Sequence, residues 1–401
     1  MGLFGSGIKE KTEAETAQVE QQEQAKLKQK PSLLRERKGG NITKEPQTPS
    51  SNLRPARSPT EVDWSSFPEG SYTRFGHGGD WWTLIKGTIA ILFTWGTWLA
   101  GGLSPFWMTW LYTHGYKRTF YSIIGPLLYP LFLPVPAWPG FVRFILNMAG
   151  YFEGGAAMYV ENSFKGRNVN GPIMLAMHPH GIMPHSFLLN GAGRIHAQKP
   201  EVFLPPHYQD MSLKSTGVAE PLLFRIPFIS AFLYFFGCAE PASKEMMHDI
   251  LGRQVPFGIL VGGSEEILLM EYQKENIYIL ERKGFIKYAL QHGYTIAIGY
   301  LFGESNLYHT ITWGRKTRLA LFKKFKIPLF LAWGRWFFPL LPERAAPLNA
   351  VVGNPIDLPR IANPSQADID KYHAMYIEKL TDLFERNKAA FGYSDRTLNF
   401  F

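Results

Sequence analysis

Two long stretches without a charged side chain constrain this chain more than any other feature of its sequence. Neither residues 87–116 nor residues 119–142 contain Asp, Glu, Lys or Arg. The first stretch exceeds the roughly 20 apolar residues that span a bilayer as a helix, and prolines in the second argue against one straight helix. We therefore predict a membrane-embedded helical hairpin over residues 81–144, which either dips in and returns or forms two short spans. Its basic flanks Lys86 and Arg143 are expected on the cytosolic side. A buried hairpin in a soluble core is the alternative.

The overall composition excludes several classes of protein. The net charge is +9 and the sequence pI is near 9.3, which suits anionic lipid, nucleic acid or a phosphate-bearing co-substrate. Because no zinc-finger spacing or aromatic RNA-binding signature is present, we expect no nucleic-acid partner. The single cysteine, Cys238, excludes disulfides within the chain and cysteine-based metal clusters. Its apolar neighbours indicate a small buried residue.

The first part of the chain has the composition of a disordered tail. Residues 1–80 are rich in Gln, Glu, Lys, Ser, Pro and Gly and contain few large apolar side chains. We therefore predict a disordered, partly basic tail over residues 1–80. The first residues, Met1 to Ser6, fit the pattern for N-terminal myristoylation, and the sequence does not decide whether Gly2 is modified.

From residue 145 onward the sequence has the pattern of an α/β domain. Short apolar runs that predict strands lie at residues 173–177, 257–261 and 295–301. A helix is predicted over residues 281–291, and a last helix begins at Ser365 with Asp368 in a partial capping box. Strands that alternate with helices predict a largely parallel sheet, so we assign residues 145–401 to one α/β domain.

The first of these strands leads directly into His178, Pro179, His180 and Gly181. Open α/β sheets bind ligands at the carboxyl ends of their strands, and histidine is suited to proton transfer near neutral pH. A helix predicted from Pro184 to about Ala192 would offer the N–H groups of its first turn to an anion. A pair of hydrogen-bonded histidines in an ordinary loop is the alternative.

Glycines, carboxylates and cations downstream supply further candidate groups. Gly262 and Gly263 follow the second strand and precede Glu265 and Glu266. Arg282 and Lys283 stand at the start of a predicted helix, where cations oppose the macrodipole. That placement indicates either an anionic partner, such as a phosphate, or two solvated side chains. Arg225 lies in an apolar stretch and is expected to have a partner, either a ligand or a structural carboxylate.

Seven ordered blocks give the sequence a family resemblance. They are His178–Met183, Phe224–Pro227, Val261–Glu266, Arg282–Phe285, Tyr300–Glu304, Val351–Ile356 and Tyr372–Tyr376. Together they span about residues 145–393. The sequence resembles the type-2 diacylglycerol acyltransferase family, which includes monoacylglycerol and wax-alcohol acyltransferases, and the hydrophobic hairpin resembles the membrane anchor of that family.

The resemblance implies an α/β fold with a glycerolipid-acyltransferase-like sheet flanked by helices. It implies transfer of a fatty acyl group from acyl-CoA to diacylglycerol, giving triacylglycerol and CoA, with acyl-CoA as a co-substrate and with no cofactor or metal. The implied location is the endoplasmic reticulum membrane and also the lipid droplet, with membrane lipid as a partner and the catalytic domain facing the cytosol. Acceptor choice, acyl-chain preference and homo-oligomerisation stay open.

The resemblance also implies roles for individual residues. His180 is the expected general base and His178 is expected to orient it. Glu266 is expected to hold the His180 imidazole, and backbone N–H groups after Gly181 are expected to stabilise the oxyanion. The His-x4-Asp pair of more distant glycerophosphate acyltransferases is absent, so the source of the carboxylate is left open. The residues expected to bind acyl-CoA are Gly181, Arg225, Gly262, Gly263, Arg282 and Lys283.

The sequence is also compatible with three other functions. The same mechanism could act on a monoacylglycerol or a fatty alcohol. A non-catalytic lipid-droplet protein would hold neutral lipid through the hairpin and would not need His180. A zinc hydrolase would use His178, His180 and His185 as ligands.

Residues 315–341 mix basic and aromatic side chains. This mixture suits either a surface in the membrane interface or a solvated basic face beside a buried aromatic patch.

Overall fold

The structure is a computed structural model that describes residues 54, 56–76, 79–132, 138–161, 172–192, 216–237, 239–325 and 328–401. The predictions for residues 1–53, for myristoylation and for Cys238 lie outside these residues. The strands are β1 (Tyr72–Phe75), β2 (Ala156–Val160), β3 (Ile173–His178), β4 (Thr216–Ala219), β5 (Ala239–Pro241), β6 (Phe257–Leu260), β7 (Glu275–Ile277), β8 (Thr295–Phe302), β9 (His309–Thr310), β10 (Ala332–Trp333), β11 (Leu348–Val352) and β12 (Leu398–Phe400). The α-helices are α1 (Trp81–Gly102), α2 (Ser104–Thr113), α3 (Lys117–Phe132), α4 (Pro139–Leu146), α5 (Ile229–Phe236), α6 (Lys244–Gly252), α7 (Gly263–Leu269), α8 (Gly284–His292), α9 (Arg315–Phe325) and α10 (Gln366–Asn387).

One mixed sheet organises the described residues. Eight of their strands pair in the order β1-β2-β11-β8-β3-β6-β4-β5. The five neighbours β8, β3, β6, β4 and β5 run parallel, which confirms the predicted parallel arrangement. Because parallel strands end at the same edge of a sheet, the segments that follow β3, β4, β6 and β8 collect at one edge.

The sheet is covered on both faces, as the alternation of its side chains requires. On β3, Ile173 and Met177 pack into one apolar cluster, whereas Met174 and Ala176 pack into the other. The first cluster contains side chains of α1, α4 and α5. The second contains side chains of α6, α8 and α10. The two faces of the domain therefore have different neighbours, and only the first carries helix α1.

Local sequence signals set several helix ends. The predicted capping box is present, because Ser365 Oγ accepts from the Asp368 N–H while the Asp368 carboxylate accepts from the Ser365 N–H. Helix α8 ends at Gly293, whose φ of 72° is the left-handed conformation that glycine adopts without a steric penalty. It begins at Gly284, three residues later than the sequence predicted.

The prediction of a disordered tail up to residue 80 is wrong in its last part. Strand β1 pairs antiparallel with β2 and forms the edge of the main sheet. Before it, the buried Phe67 packs against Tyr159 of β2 and Phe391, with ring centroids 4.9 and 5.6 Å apart. Apolar residues of this segment, Ala56 and Phe67 among them, are therefore core residues, and residues 56–80 belong to the folded domain.

Helix α1 accounts for most of the first uncharged stretch. By length and composition it could cross a membrane, and it is the one such helix in the described part of the chain. The following helices α2 and α3 have 10 and 16 residues, and the segment 133–137 lies outside the described residues, so the second limb of the predicted hairpin is not confirmed. One face of α1 packs on the domain through Gly87, Ile91 and Trp95, and the opposite face is exposed.

Candidate active site

The carboxyl edge of the parallel strands brings together four segments that are distant in sequence. The turn that begins at His178 follows β3, and Gly262 follows β6 at the start of α7. Glu304 follows β8, and Arg225 ends the short helix after β4. These are four of the segments that the sequence analysis singled out. Their meeting follows from the order of the parallel strands and not from any one motif.

A buried carboxylate holds the turn after β3. Glu266 Oε1 lies 3.0 Å from His178 Nδ1, and both side chains are buried. Glu266 Oε2 accepts from the backbone N–H of His180 at 2.6 Å, and Oε1 accepts from the backbone N–H of Tyr278 at 3.1 Å. Because a carboxylate only accepts, Nδ1 of His178 carries a proton in this contact.

This contact differs from the predicted one. The sequence analysis expected Glu266 to contact the imidazole of His180, whereas it contacts the imidazole of His178 and only the main chain of His180. The two histidines leave the strand on either side of a cis His178–Pro179 peptide bond. The carboxylate that contacts the His178 imidazole comes from α7, 88 residues away in sequence.

Gly262 makes room for the Glu266 carboxylate. The carboxyl group folds back over the first turn of α7, and a β-carbon at Gly262 would lie about 2.5 Å from Glu266 Oε2. Negative charge at the first turn of a helix is also favoured by the macrodipole. The adjacent Gly263 has a φ of 59°, where a side chain would be strained. Both glycines thus shape the carboxylate site, and neither needs a ligand to explain it.

His180 is the more accessible of the two histidines. Its side chain is partly buried, and its Nδ1 lies 3.0 Å from the carbonyl oxygen of Gly181. Since a carbonyl oxygen only accepts, Nδ1 carries the proton and Nε2 keeps its lone pair. Burial lowers the pKa of His180 below its ordinary value of 6.5, although Glu266 nearby opposes that shift. The ring is therefore neutral near pH 7, the state that a general base requires.

A second buried carboxyl group, Glu304, lies on the other side of the same turn. Glu304 Oε1 accepts from the backbone N–H of Ser186, and a β-carbon on Gly181 would collide with Glu304 Oε2. Oε2 has no hydrogen-bond partner among the residues that the structure describes. Burial raises the pKa of Glu304 well above its usual range. Glu304 ends the family block Tyr300–Glu304, but no role was predicted for it, because nothing in the sequence places it against Gly181.

The segment after Gly181 differs from the predicted anion site. A π-helix over Phe187–Ala192 occupies most of the helix predicted from Pro184. The N–H of Ser186, in the turn before it, donates to Glu304. The N–H of His185 donates to the Met183 carbonyl. These two amides are thus bound within the protein, and Gly181 to Met183 are the remaining candidates for oxyanion donors.

Two aromatic rings complete the surroundings of the histidines. The Tyr376 ring of α10 lies edge-on to the His178 ring, with centroids 6.1 Å apart. The sequence predicted the helix that begins after Ser365, but it gave no sign of a contact between that helix and the histidines. His185 points elsewhere, because its Nε2 lies 3.2 Å from the hydroxyl of Tyr308. Burial lowers the pKa of His185 to about 3.

The three cations that were expected to bind acyl-CoA are not equivalent. Arg282 forms an ion pair with Glu265, and its guanidinium group also lies over the Tyr278 ring at 5.4 Å. Lys283 pairs with Asp370 at 2.5 Å and lowers the pKa of that carboxyl. These contacts explain both cations without a phosphate.

Arg225 differs from the other two cations. It is exposed and has no side-chain partner in the described part of the chain, so the structural carboxylate that the sequence analysis allowed for is not found there.

The described residues also bear on the zinc alternative. They contain no group of three His, Cys, Asp or Glu side chains placed to hold a metal ion. His178 contacts Glu266 and His185 contacts Tyr308, so the three histidines of that alternative do not converge on one point.

Comparison with known proteins finds a match to a family model. The model of the diacylglycerol acyltransferase family matches residues 167–400, which include both histidines, Glu266 and Glu304. The chain belongs to the diacylglycerol acyltransferase family. Within it, the chain is 36% identical to diacylglycerol O-acyltransferase 1 of Eremothecium gossypii over 186 residues, covering 44% of this chain and 40% of that protein.

Two human proteins are also similar to this family member. Human acyl-CoA wax alcohol acyltransferase 1 is 30% identical over 241 residues, covering 57% of this chain and 70% of that protein. Human diacylglycerol O-acyltransferase 2 is 32% identical over 233 residues, covering 54% of this chain and 56% of that protein. The matched region thus spans 40% to 70% of the length of these three relatives.

Among solved structures, the crystal structure of a 1-acyl-sn-glycerophosphate (LPA) acyltransferase from Thermotoga maritima has 13% sequence identity and a TM-score of 0.34. It covers 76% of this chain and 97% of that chain.

Proposed function

We propose that this protein is an acyl-CoA:diacylglycerol O-acyltransferase. It transfers a fatty acyl group from acyl-CoA to the free hydroxyl of diacylglycerol and releases triacylglycerol and CoA. The observation that carries the proposal is the site itself: within the family match, a partly exposed neutral imidazole stands on a turn held by a buried carboxylate. Acyl-CoA is a co-substrate in this reaction, and the chain's own residues supply the proton transfer without a further cofactor.

His180 is the proposed general base. Its Nε2 lone pair accepts the proton of the diacylglycerol hydroxyl while that oxygen attacks the thioester carbonyl carbon. The tetrahedral intermediate then collapses, the carbon–sulfur bond breaks, and the CoA thiolate takes the proton back from His180. The backbone amides of Gly181 to Met183 are the proposed oxyanion donors. No acyl-enzyme is formed, so Cys238 has no role in the reaction.

The pair of His178 and Glu266 positions the base. Glu266 fixes the main chain at His180 and also binds the His178 imidazole, so it couples the end of β3 to α7. His178 is fully buried, which supports a positioning role. The proposed site for acyl-CoA includes Gly181 and Arg225. Gly262, Gly263, Arg282 and Lys283, whose contacts lie within the protein, belong to its framework.

The proposed setting is a membrane. Helix α1 and the exposed apolar side chains of α1 to α3 support an anchored protein. We propose the endoplasmic reticulum membrane and the lipid droplet as its locations, with the catalytic domain on the cytosolic side and a glycerolipid-acyltransferase-like sheet. Membrane lipid and diacylglycerol are then available to the site from the same phase.

A panel of acyl acceptors tests the proposal. Microsomes that contain this protein are supplied with labelled acyl-CoA and with diacylglycerol, monoacylglycerol or a fatty alcohol in turn. Triacylglycerol as the main product supports the proposal. The similarity to wax alcohol acyltransferase 1 makes a fatty alcohol the second candidate acceptor, and wax ester as the main product would favour it. Absence of acyl transfer to every acceptor would favour the non-catalytic lipid-droplet protein.

A further inference from the structure

A tight turn displays two aromatic side chains to the outside of the protein. The Arg335 N–H donates to the Leu341 carbonyl at 2.8 Å, and the Phe338 N–H donates to the Arg335 carbonyl at 3.0 Å. Trp336 and Phe337 lie between these bonds and are 91% and 66% exposed. The backbone thus holds two large apolar side chains in a defined position where the folded chain buries little of them.

Further exposed apolar side chains belong to the same part of the chain. Eight apolar side chains of this part of the chain are exposed, and we call them the aromatic surface. They are Trp313, Phe325, Leu329, Leu331, Trp333, Trp336, Phe337 and Phe338. Isolated exposed apolar residues are normal, but a run of this size is typical of a surface that contacts a partner or a membrane.

The aromatic surface is attached to the face of the sheet that carries α1. Four apolar residues close to the aromatic surface in sequence pack in the same apolar cluster as Trp95 of α1. They are Phe330, Ala332, Leu340 and Leu341. Two hydrogen bonds reinforce this contact. The Trp95 Nε1–H donates to the Tyr308 hydroxyl at 2.8 Å, and that hydroxyl donates to the Leu340 carbonyl at 3.3 Å. The turn is therefore fixed to α1, the helix that is proposed to contact the membrane.

The net charge of residues 305–342, which carry the aromatic surface, indicates what this surface binds. Residues 305–342 contain seven Lys and Arg residues and no Asp or Glu. The Arg335 guanidinium group lies 4.5 Å from the Phe337 ring centroid, and Lys324 Nζ lies 5.4 Å from the Phe325 ring centroid. Cations beside exposed aromatic rings match the interface of an anionic bilayer, where indole rings lie at the headgroup level and phosphates attract Lys and Arg.

We propose that the aromatic surface binds the interface of an anionic phospholipid bilayer as a second membrane contact, separate from α1 to α3. Trp336 and Phe337 enter the headgroup region, and the cations of α9, including Lys316 and Lys323, lie against the lipid phosphates. The inference rests on the proposed membrane association and not on acyl transfer, so the two can fail separately.

A single labelled cysteine in the full-length protein tests this contact directly. In a Cys238→Ala background, Trp336→Cys is labelled with an environment-sensitive fluorophore and reconstituted in vesicles of phosphatidylcholine and phosphatidylserine. The control is Ala374→Cys, an exposed position on α10, which packs on the opposite face of the sheet. We expect blue-shifted emission and quenching by spin-labelled lipid at position 336 and water-like emission at position 374.

Three results would overturn the proposal. The first is water-like emission without lipid quenching at position 336 while the protein stays in the vesicles. The second is equal quenching at 336 and 374. The third is a blue shift in lipid-free detergent that grows with protein concentration, which would assign the surface to a second copy of this chain.

A charge variant tests the electrostatic part. Lys316→Gln, Lys323→Gln and Lys324→Gln are combined in the protein labelled at position 336. We expect lipid quenching to fall several-fold in vesicles that contain phosphatidylserine and to become insensitive to added salt, because the attraction of lysines to anionic lipid is screened. Unchanged quenching and salt dependence in this variant would contradict a role for these cations.

Discussion

Gly262 is the residue on which the geometry of the buried carboxylate depends most visibly. In Gly262→Ala the new methyl group would overlap the Glu266 carboxyl and displace it from His178 and from the His180 amide. We expect acyl transfer to fall by about tenfold or more, because small displacements of positioning groups are costly. The matched control is Gly252→Ala, where the added β-carbon meets nothing within 4 Å. Equal activity of both variants and wild type would contradict this account of the carboxylate.

The state of His180 sets the pH dependence. Burial lowers the pKa of His180, so the base is neutral near pH 7 and is lost only when pH falls below its ordinary value of 6.5. We therefore expect kcat/KM to fall on the acid side with a midpoint below 6.5. Glu266 raises the pKa of His180, so Glu266→Gln should move that midpoint further down. A midpoint above 6.5, or a shift to higher pH in Glu266→Gln, would show that another group titrates.

The residue types of the site could be predicted from the sequence, but not their pairing. Apolar strands that end in histidine or glycine indicated which residues reach the edge of the sheet. The partner of Glu266 and the place of Glu304 depend on side-chain directions at that edge. Glu304 contacts Ser186 across 118 residues of sequence, and no local pattern encodes such a contact.

At the scale of elements, α1 packs closely on the folded domain. A β-carbon on Gly87 would lie 2.5 Å from the backbone nitrogen of Tyr151, so α1 approaches the domain backbone closely there. We expect Gly87→Leu to lower the melting temperature in detergent by several degrees, in keeping with overpacking costs of about 1–3 kcal/mol. The protein should still stay in the carbonate-washed membrane pellet.

Gly96 supplies the matched control for that prediction. It lies on the same helix, and an added β-carbon meets nothing within 4 Å there. Gly96→Leu should therefore melt like wild type. If both leucine variants melted alike, α1 would not pack on the domain as described.

The elements themselves were largely predictable. Strands β3, β6 and β8 and the cap of α10 follow from apolar runs and from Ser365 with Asp368, which are local signals. Strand β1 was missed because a four-residue edge strand in a polar stretch has no periodic signal of its own. Its place is fixed by pairing with β2, which is distant in sequence.

At the scale of the whole molecule, the folded part includes residues that the composition assigned to the tail. Removal of residues 1–53 should leave acyl transfer in membranes near the wild-type level, because that segment lacks core-forming residues. Removal of residues 1–80 should lower the yield of folded protein sharply. It deletes β1 together with Trp64 and Phe67, and so uncovers Phe391, against which both rings pack. Equal expression and activity of the two truncations would contradict the assignment of residues 56–80 to the folded domain.

The central claim is that this protein transfers an acyl group to diacylglycerol with His180 as the base. The most direct measurement is the initial rate of labelled acyl transfer from acyl-CoA to diacylglycerol, in microsomes with equal amounts of wild type and variants. We expect His180→Ala to lower the rate by about a hundredfold or more, and we expect smaller losses for His178→Ala and Glu266→Gln. A rate near that of wild type in correctly inserted His180→Ala would contradict the mechanism.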